Sequence, residues 1–594
     1  MAGKPKKPRP FHNKGFIEED VLPLSFDTET RGLGGELLCI TACDFSEDHF
    51  FEGETMVGDF FTLMLNFPYP FVWYAHNAQY DWRYFLGYIR ANSIPCDISM
   101  RNETDIYQIK LIFEGKKIVM RDSLAIFPGT LREFARSFTP ELPKGDIDFE
   151  AGAEFDLSNP EHRAYAMRDA KILRVGLPRL NAMLQRHFGV GMGHTTAGTA
   201  LKAWMASLAD SEYYEPSTYG EEEDFIRSAY YGGLVFLTRT DPVKQAQTYD
   251  INSSYPDKMC RYGVPYGQRM RSTDWRDPRP GIFRVRVRTP GDLIVPILPR
   301  RDAKGYMAWS RGTFETTVTN RELVFAEAHG YVIEEVFDGI AWEETVFPFN
   351  RVVDKCKGIR KSHKGKPEET LAKLIQNSLY GKFGSRRERL RVVCSEGMED
   401  DELLELEALP LDDAGYWLVC KEFSEDLRCL PHWAVFITAH ARLHLLETIH
   451  RVGVENVIYG DTDSLTVLPG VAHLFDVGDD YGQWKLEKTW RVFRADAPKV
   501  YAGLKITPDG DVPHGAAKGL PRKGMTPALW RALLDGERIC IPYLSLPALR
   551  VAMAKGVRPA QPVQRVNTNL KNSANWELQG SRVRPKLAAS REAS

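Results

Sequence analysis

"YGDTDS", residues 459–464, sets two carboxylates one residue apart in a short polar stretch between the apolar runs "VENVI" (454–458) and "LTVL" (465–468). Asp, Gly and Thr form turns readily, so the segment predicts a β-hairpin with Asp461 and Asp463 at its tip. Taken alone, the pair reads as two solvated turn residues. Its meaning depends on whether another strand brings further carboxylates beside it.

The chain has 594 residues, 43% hydrophobic and 26% charged, which predicts several ordinary globular domains. There is no membrane-length apolar run, and the basic start "MAGKPKKPRPFHNKGF" (1–16) has no apolar stretch behind it. The nine cysteines are scattered without a CxxC pair, which fits reduced thiols in a cytoplasmic setting and argues against a zinc ribbon. The net charge of −3 conceals an asymmetry. Arg351 to Arg391 carries 13 Lys or Arg against 4 Asp or Glu, whereas Val392 to Cys420 carries nine acids, with "EDDELLELE" at 399–407, and no Lys or Arg. A basic segment in a near-neutral chain can hold a polyanion locally. It also reads as a solvated helix face.

No internal repeat is present. The glycines of "FGVGMGH" (188–194) lack the strand–turn–helix of a dinucleotide fingerprint and read as a linker, and there is no GxxxxGK[ST] P-loop. The first 190 residues alternate strand-like and helical runs, an α/β pattern. "EETLAKLIQNSLYGKFG" (368–384) predicts a basic helix capped by Gly384.

Three short patterns in the N-terminal third converge. "FDTET" (26–30) places Asp27 and Glu29 on one side of a strand. "HNAQYD" (76–81) places Asn77 and Asp81 on one face of a helix, and "YAMRD" (165–169) does the same for Tyr165 and Asp169. Four carboxylates so grouped make an oxygen-rich cage for two divalent cations, for which magnesium is the hard-ligand choice. Such a pair can activate a water against a phosphodiester, with the tyrosine orienting it.

The ordered set DxE, Nx₃D, Yx₃D resembles the 3′–5′ proofreading exonuclease of family B DNA polymerases. "DSLAIFP" (122–128) and "PKGDIDF" (143–149) resemble further pieces of its protein-primed branch. The resemblance implies that Ser123, Leu124, His76 and Asn77 meet a single-stranded primer end and that Lys144 steadies the cleaved phosphate.

The rest of the chain continues the resemblance in order. "DINSSYP" (250–256) looks like the motif whose Asp, here Asp250, holds a metal and whose Tyr, here Tyr255, lies beneath the incoming sugar; Ser254 stands where the family usually has Leu. "KLIQNSLYG" (373–381) is similar to the nucleotide-binding helix, with Lys373, Asn377, Tyr380 and Gly381, and Lys361 as a second triphosphate contact. With Asp250 as partner, Asp461 and Asp463 become a second two-metal site, Asp463 as direct ligand. "PKVY" (498–501) matches a KxY motif that holds the primer terminus through Lys499 and Tyr501. "AYYGGLV" (229–235) resembles the YxGG linker, with Tyr230, Gly232 and Gly233 on DNA, and "FITAHAR" (436–442) a template-contacting segment with Thr438 and Arg442.

The chain is thereby identified as a member of the phi29-like, protein-primed family B DNA polymerases. That implies an α/β and α+β multidomain fold: an RNase H-like exonuclease joined to a right-hand polymerase with two insertions. The expected layout is exonuclease 1–190, palm 191–265, a terminal-protein-region-1-like insertion 266–350, fingers 351–384, a region-2-like insertion 385–430, palm 431–525, and thumb with a basic tail 526–594. The implied activity is DNA-directed DNA synthesis on a linear genome, with proofreading and intrinsic strand displacement. Implied cofactors are two Mg²⁺ per active site, with Mn²⁺ as substitute. Implied partners are primer-template DNA, dNTPs and a terminal protein; the chain would act as a monomer or a heterodimer with that protein, in the cytoplasm of a bacterial host and off the membrane. A conventionally primed or primer-independent polymerase on the same core, and a catalytically silent DNA-end-binding relative, are the alternatives. The acidic block is expected to face away from DNA or to meet a basic partner.

Overall fold

The computed structural model describes residues 21–588 apart from 103–104, 146–154, 209–219, 387, 396–408, 412–414, 416, 424–428, 548, 571–572 and 574. The basic start and the acidic "EDDELLELE" block lie outside the described residues.

The N-terminal unit is built on the strand Leu22–Thr30. It pairs antiparallel with Leu37–Cys43, which pairs with Asp48–Glu52, and parallel with Phe71–Ala75, itself parallel to Lys116–Asp122. Strand alternation sorts the core. Trp73 points into one cluster with Phe60, Phe61 and Phe85, while its neighbours Val72 and Tyr74 point into another with Phe134, Ile172 and Leu177. The first cluster is closed by the helices Met56–Leu65 and Trp82–Ala91, the second by Leu131–Phe138 and Pro160–Phe188. The last begins by rule: Asn159 accepts from Glu161 N, Pro160 occupies the first turn, and Gly189 ends it at φ 71°. Ser25 donates to the Ala170 carbonyl and Thr41 to that of Ala166, fixing this helix against the strands.

The N-terminal sheet has ten strands because a distant segment joins it. Glu388–Cys394 pairs with Cys96–Asn102 (Val392 opposite Ile98), and Trp417–Phe423 pairs outside it. Arg391 meets Asp97 through two bonds of 2.9 and 3.1 Å, and Trp417 is fully buried. Nothing in the sequence pattern announced this pairing.

The central sheet is antiparallel. Gln247–Ile251 lies between Ser464–Val467 and Trp484–Ala497. Val457–Asp461 and Val235–Leu237 continue it one way, Val500–Thr507 and Gly510–Ala517 the other. The expected hairpin is present: Val457–Asp461 and Ser464–Val467 are joined by Thr462 and Asp463, with Thr462 at φ 61°. Behind it runs the helix Pro431–Val452, buried nearly all the way round. A pair of helices, Asn350–Ser362 and Pro367–Phe383, packs on Thr196–Ser207. The predicted cap needs correction. Gly384 is right-handed at φ −80°, and glycine is required there because a Cβ would meet the Tyr230 ring at 2.7 Å.

Between the two parts of the central sheet, Val264–Arg271, Val332–Val346, Gly281–Arg288 and Thr313–Thr319 form a separate four-stranded sheet. The C-terminal strand Arg582–Leu587 returns to this region and pairs parallel with Met307–Arg311, clipped by an Arg311–Glu577 ion pair of 2.8 Å. Arg83 donates to the Pro547 carbonyl at 2.6 Å, so the C-terminal region touches the N-terminal unit as well. All nine cysteines are free thiols, with Cys39 and Cys43 buried in the core. Among the described residues, no helix is long and apolar enough to cross a membrane.

Candidate active sites: two carboxylate centres

The first centre forms where the strand Leu22–Thr30 meets Pro160–Phe188. Asp27 and Glu29 leave the strand on one side, and Asp169 rises from the helix. Asp81 joins them in a different way from that expected. Asn77 and Asp81 do not share a helix face: Asn77 is exposed at φ 65° in a turn, and Asp81 immediately precedes the helix Trp82–Ala91 without a side-chain capping bond. What aims Asp81 is Thr28, whose hydroxyl donates to it at 2.6 Å from between the other two carboxylates. Asp122, which no motif singled out, holds the turn by accepting from Asn77 N at 2.9 Å and Leu124 N at 2.8 Å.

Burial and mutual repulsion leave this group strained electrostatically. Burial, then the charges of Asp169 and Asp81, push Asp27 well above the usual carboxylate range. Burial and Asp169 push Glu29 up to about 8, and burial pushes Asp81 to about 7. Asp169 is raised by burial, and its Oδ1 is buried without a hydrogen-bond partner. The other oxygen of Asp169 meets the Lys144 ammonium, which also lies 5.2 Å from the Tyr165 ring centroid.

His76 and Ser123 are tied into this rim by hydrogen bonds, His76 half-buried and Ser123 fully buried. The His76 ring spans from the Gly129 carbonyl (2.9 Å) to the Ser123 hydroxyl (3.0 Å). The expectation that Ser123 touches a primer is therefore corrected; its side chain points inward.

The second centre lies at the tip of the central sheet. Asp250 pairs across to Ser464, and Ile251 N donates to the Asp463 carbonyl at 2.8 Å, which brings Asp250 beside the hairpin tip. Burial and then Asp463 raise Asp250 to about 7; burial and then Asp461 raise Asp463 to about 6. Asp461 is held by three side chains: Tyr459 OH at 3.3 Å, Thr462 Oγ1 at 3.1 Å and Lys499 Nζ at 3.3 Å. Tyr459 also accepts from Lys499 N at 3.0 Å, a contact the sequence gave no reason to expect.

Around this tip the predicted nucleotide contacts gather. Tyr255 and Tyr380 stack at 4.2 Å with planes 8° apart. Asn377 and Lys373 are exposed one and two turns earlier on the same helix, and the Lys373 charge acts on Asp250. Gly381 has open space where a Cβ would sit, and Lys361 is exposed at the end of Asn350–Ser362. Ser253, at φ 47°, accepts from Arg360 at 2.7 Å and Gln376 at 3.3 Å, tying both helices to the Asp250–Tyr255 turn. Ser254 is buried with its hydroxyl unpaired, where a leucine would leave no orphan. Tyr501 lies 5.3 Å from Tyr459, ring to ring.

The Tyr230–Gly233 segment packs under the hairpin. A Cβ on Gly233 would meet Thr462 Oγ1 at 2.6 Å, while Gly232 has free space. Arg442 is the correction here. It is 1% exposed, paired with the buried Glu322 at 2.7 Å, and donates to the Tyr231 and Gly232 carbonyls at 2.8 and 3.0 Å. Thr438 is likewise buried, donating to the Val435 carbonyl at 3.0 Å. Neither side chain can reach a template strand; Arg442 holds the glycine turn in place.

Both centres present clustered, half-buried to buried carboxylate oxygens, with Lys144 in contact at the first and Lys499 at the second. That donor set fits hard divalent cations.

Residues 67–165 and 158–409 match the family model of DNA polymerase type B, organellar and viral. The chain belongs to that family. The polymerase is 26% identical over 470 residues to the DNA polymerase of Bacillus phage phi29, which covers 72% of this chain and 77% of the relative. It is 25% identical to that of Bacillus phage M2 over the same length, and 23% identical over 485 residues to that of Streptococcus phage Cp-1, covering 77% of this chain and 81% of that one. In fold it is similar to phi29 DNA polymerase complexed with primer-template DNA, with a TM-score of 0.73 at 20% identity, covering 92% of this chain and 99% of that one. The polymerase is thus of the phi29 type, and its mixed α/β multidomain architecture is that of an exonuclease unit joined to palm, fingers and thumb.

Proposed function

We propose that this polymerase replicates a linear genome from a protein primer, proofreads 3′ ends at the first carboxylate centre and displaces the strand ahead of it. The observation that carries the two-activity reading is the pair of separate carboxylate clusters, on different sheets, each with proton affinities raised by burial and unbalanced charge. Asp250 and Asp463 would hold divalent cations for nucleotide addition, with Asp461 kept in orientation by Tyr459, Thr462 and Lys499. Asp27, Glu29, Asp81 and Asp169 would hold them for 3′–5′ cleavage. When bound, Mg²⁺, or Mn²⁺ in its place, supplies the positive charge that favours an ionised hydroxyl or water and a departing phosphate oxygen.

The chain's own groups do the remainder. The stacked Tyr255 and Tyr380 form a rigid floor that leaves no room for a 2′-hydroxyl. Lys373 and Lys361 offset triphosphate charge, Asn377 lies on the same exposed face as Lys373, and Gly381 lets a base pair approach the helix backbone. Lys499 and Tyr501 position the primer terminus, and Tyr230, Gly232 and Gly233 line the passage between the centres. At the first centre Tyr165 orients water, Lys144 offsets charge on the cleaved phosphate, and Asn77, Leu124 and the His76 loop border the single strand. The sheet within 266–350 is the surface proposed for a terminal protein.

Separation of activities tests this. Asp463→Ala abolishes primer extension and leaves degradation of single-stranded DNA from the 3′ end; Asp169→Ala does the reverse. Loss of both activities in either folded variant would falsify the two-centre reading. Protein priming is tested apart from this, by whether a dNMP is transferred to a hydroxyl of a partner protein on linear, primer-free DNA.

A further inference from the structure

A third set of ligand-type side chains lies away from both carboxylate centres, where the N-terminal unit meets the paired helices. His187 is in the last turn of Pro160–Phe188, His363 follows Asn350–Ser362, and Glu368 is in the first turn of Pro367–Phe383. One ligand atom of each lies within 4.8 Å of the other two. The imidazoles stand edge to face, 5.5 Å between centroids and 81° between planes.

The hydrogen bonding leaves the right atoms available. His187 Nε2 is buried and has no hydrogen-bond partner. His363 Nδ1 is engaged at 2.9 Å by the Ser362 hydroxyl and at 3.2 Å by the Ile359 carbonyl, which leaves Nε2 as the ring nitrogen free to bind a cation. The His187 ring feels the charges of Glu368, Arg186 and Lys355. The two cationic side chains weaken a cation site, and Glu368 opposes them.

We propose that His187, His363 and Glu368 bind one zinc-class transition-metal cation. Two imidazole nitrogens and a carboxylate suit Zn²⁺, Co²⁺ or Ni²⁺, whereas Mg²⁺ prefers oxygen throughout. Zinc–ligand bonds of about 2.0–2.1 Å require the donors to close by roughly 1 Å, within reach of side-chain rotation at three half-buried residues. Partial exposure leaves a fourth position for water. The cation would tie the end of the helix carrying Tyr165 and Asp169 to the start of the helix carrying Lys373 and Asn377, a structural clamp between the exonuclease unit and the fingers.

The test uses the full chain, stripped by chelator and dialysed against micromolar Zn²⁺ in millimolar Mg²⁺, so that the all-oxygen centres are filled with Mg²⁺. Wild type should retain about one zinc per chain and melt at a higher temperature than the zinc-free protein. His187→Ala and His363→Ala should each lower zinc affinity at least about tenfold and lose the melting response. His363→Phe, which preserves the ring contact, should lose them equally. Asp169→Ala and Asp463→Ala should retain both. No zinc on the wild type, or undiminished zinc on the histidine variants, overturns the site.

Discussion

Tyr255 lies against Tyr380 in parallel contact, so its ring cannot tilt without breaking the stack, which on the proposed reading bars a bulkier sugar. Tyr255→Val removes that barrier and should improve ribonucleotide incorporation relative to deoxynucleotide by about tenfold or more, the size of a steric discrimination between near-isosteres. Competition assays with single nucleotides measure it; equal loss for both sugars would make Tyr255 a packing residue. The carboxylates nearby give a pH signature. Asp250 and Asp463 titrate near 7 and 6 when folded, above the ordinary value of 3.8. Each therefore holds its proton more tightly folded than unfolded. The stability this contributes is complete below about pH 4 and lost as pH rises through about 7. Mg²⁺ offsets the exposed charge, so it should raise the melting temperature more at pH 8 than at pH 5. Asp463→Asn should shrink that difference, and a response independent of pH would sink the argument.

The hairpin, the glycine turn beneath it and the helix Pro431–Val452 act as a stack of elements in which each fixes the next. Arg442 is the pin of that stack, because its guanidinium joins the buried Glu322 to the Tyr231 and Gly232 carbonyls. Removing one partner leaves a buried charge alone, so Arg442→Ala should cost about 3–5 kcal/mol in denaturant unfolding. Gly233→Ala probes the same stack with little effect on charge. Its added methyl falls 2.6 Å from Thr462 Oγ1, so Thr462, at φ 61° in the hairpin tip, must shift. Nucleotide addition should drop by roughly two orders of magnitude, the effect of displacing reacting groups by about 1 Å. Degradation from the 3′ end should be unchanged, since Gly233 abuts Thr462 of the second centre's hairpin; a parallel fall in both rates would count against the stack.

At the scale of the whole molecule, two long-range pairings convert separate units into one body. The strands Glu388–Cys394 and Trp417–Phe423 extend the N-terminal sheet, and Arg582–Leu587 pairs with Met307–Arg311 on one side and with Trp576–Gln579 on the other, Trp576 being buried. Ending the chain before Trp576 should lower the melting temperature and shorten the products of each binding event, measured on primed single-stranded circles with a polymerase trap. The segment from Arg386 to Arg428 is proposed to part the downstream duplex, where opening a base-pair step costs about 1.4 kcal/mol. Removing all of it would uncover the edge of Cys96–Asn102, with Ile98 in the core, so the informative change replaces only 396–408 with a short Gly/Ser link. Gap filling should persist and synthesis should stall at duplex. Unimpeded passage would assign those residues to another task.

Much of this protein was legible from short stretches. The hairpin at 459–464, the strand bearing Asp27 and Glu29, the helix bearing Tyr165 and Asp169 and the order of the motifs are set by turn chemistry, strand alternation and helical periodicity, which act over a few residues. Tertiary structure decided what those rules do not reach. It turned Asn77 out of a helix, buried Ser123, Thr438 and Arg442, made Gly384 a packing position instead of a left-handed cap, and brought His187 to His363 and Glu368. It also joined Glu388–Cys394 to a strand nearly 300 residues away through backbone bonds that almost any side chain permits. A motif states which residue types stand close in the chain; whether a side chain faces solvent, substrate or a buried partner depends on contacts made after the chain has folded back on itself.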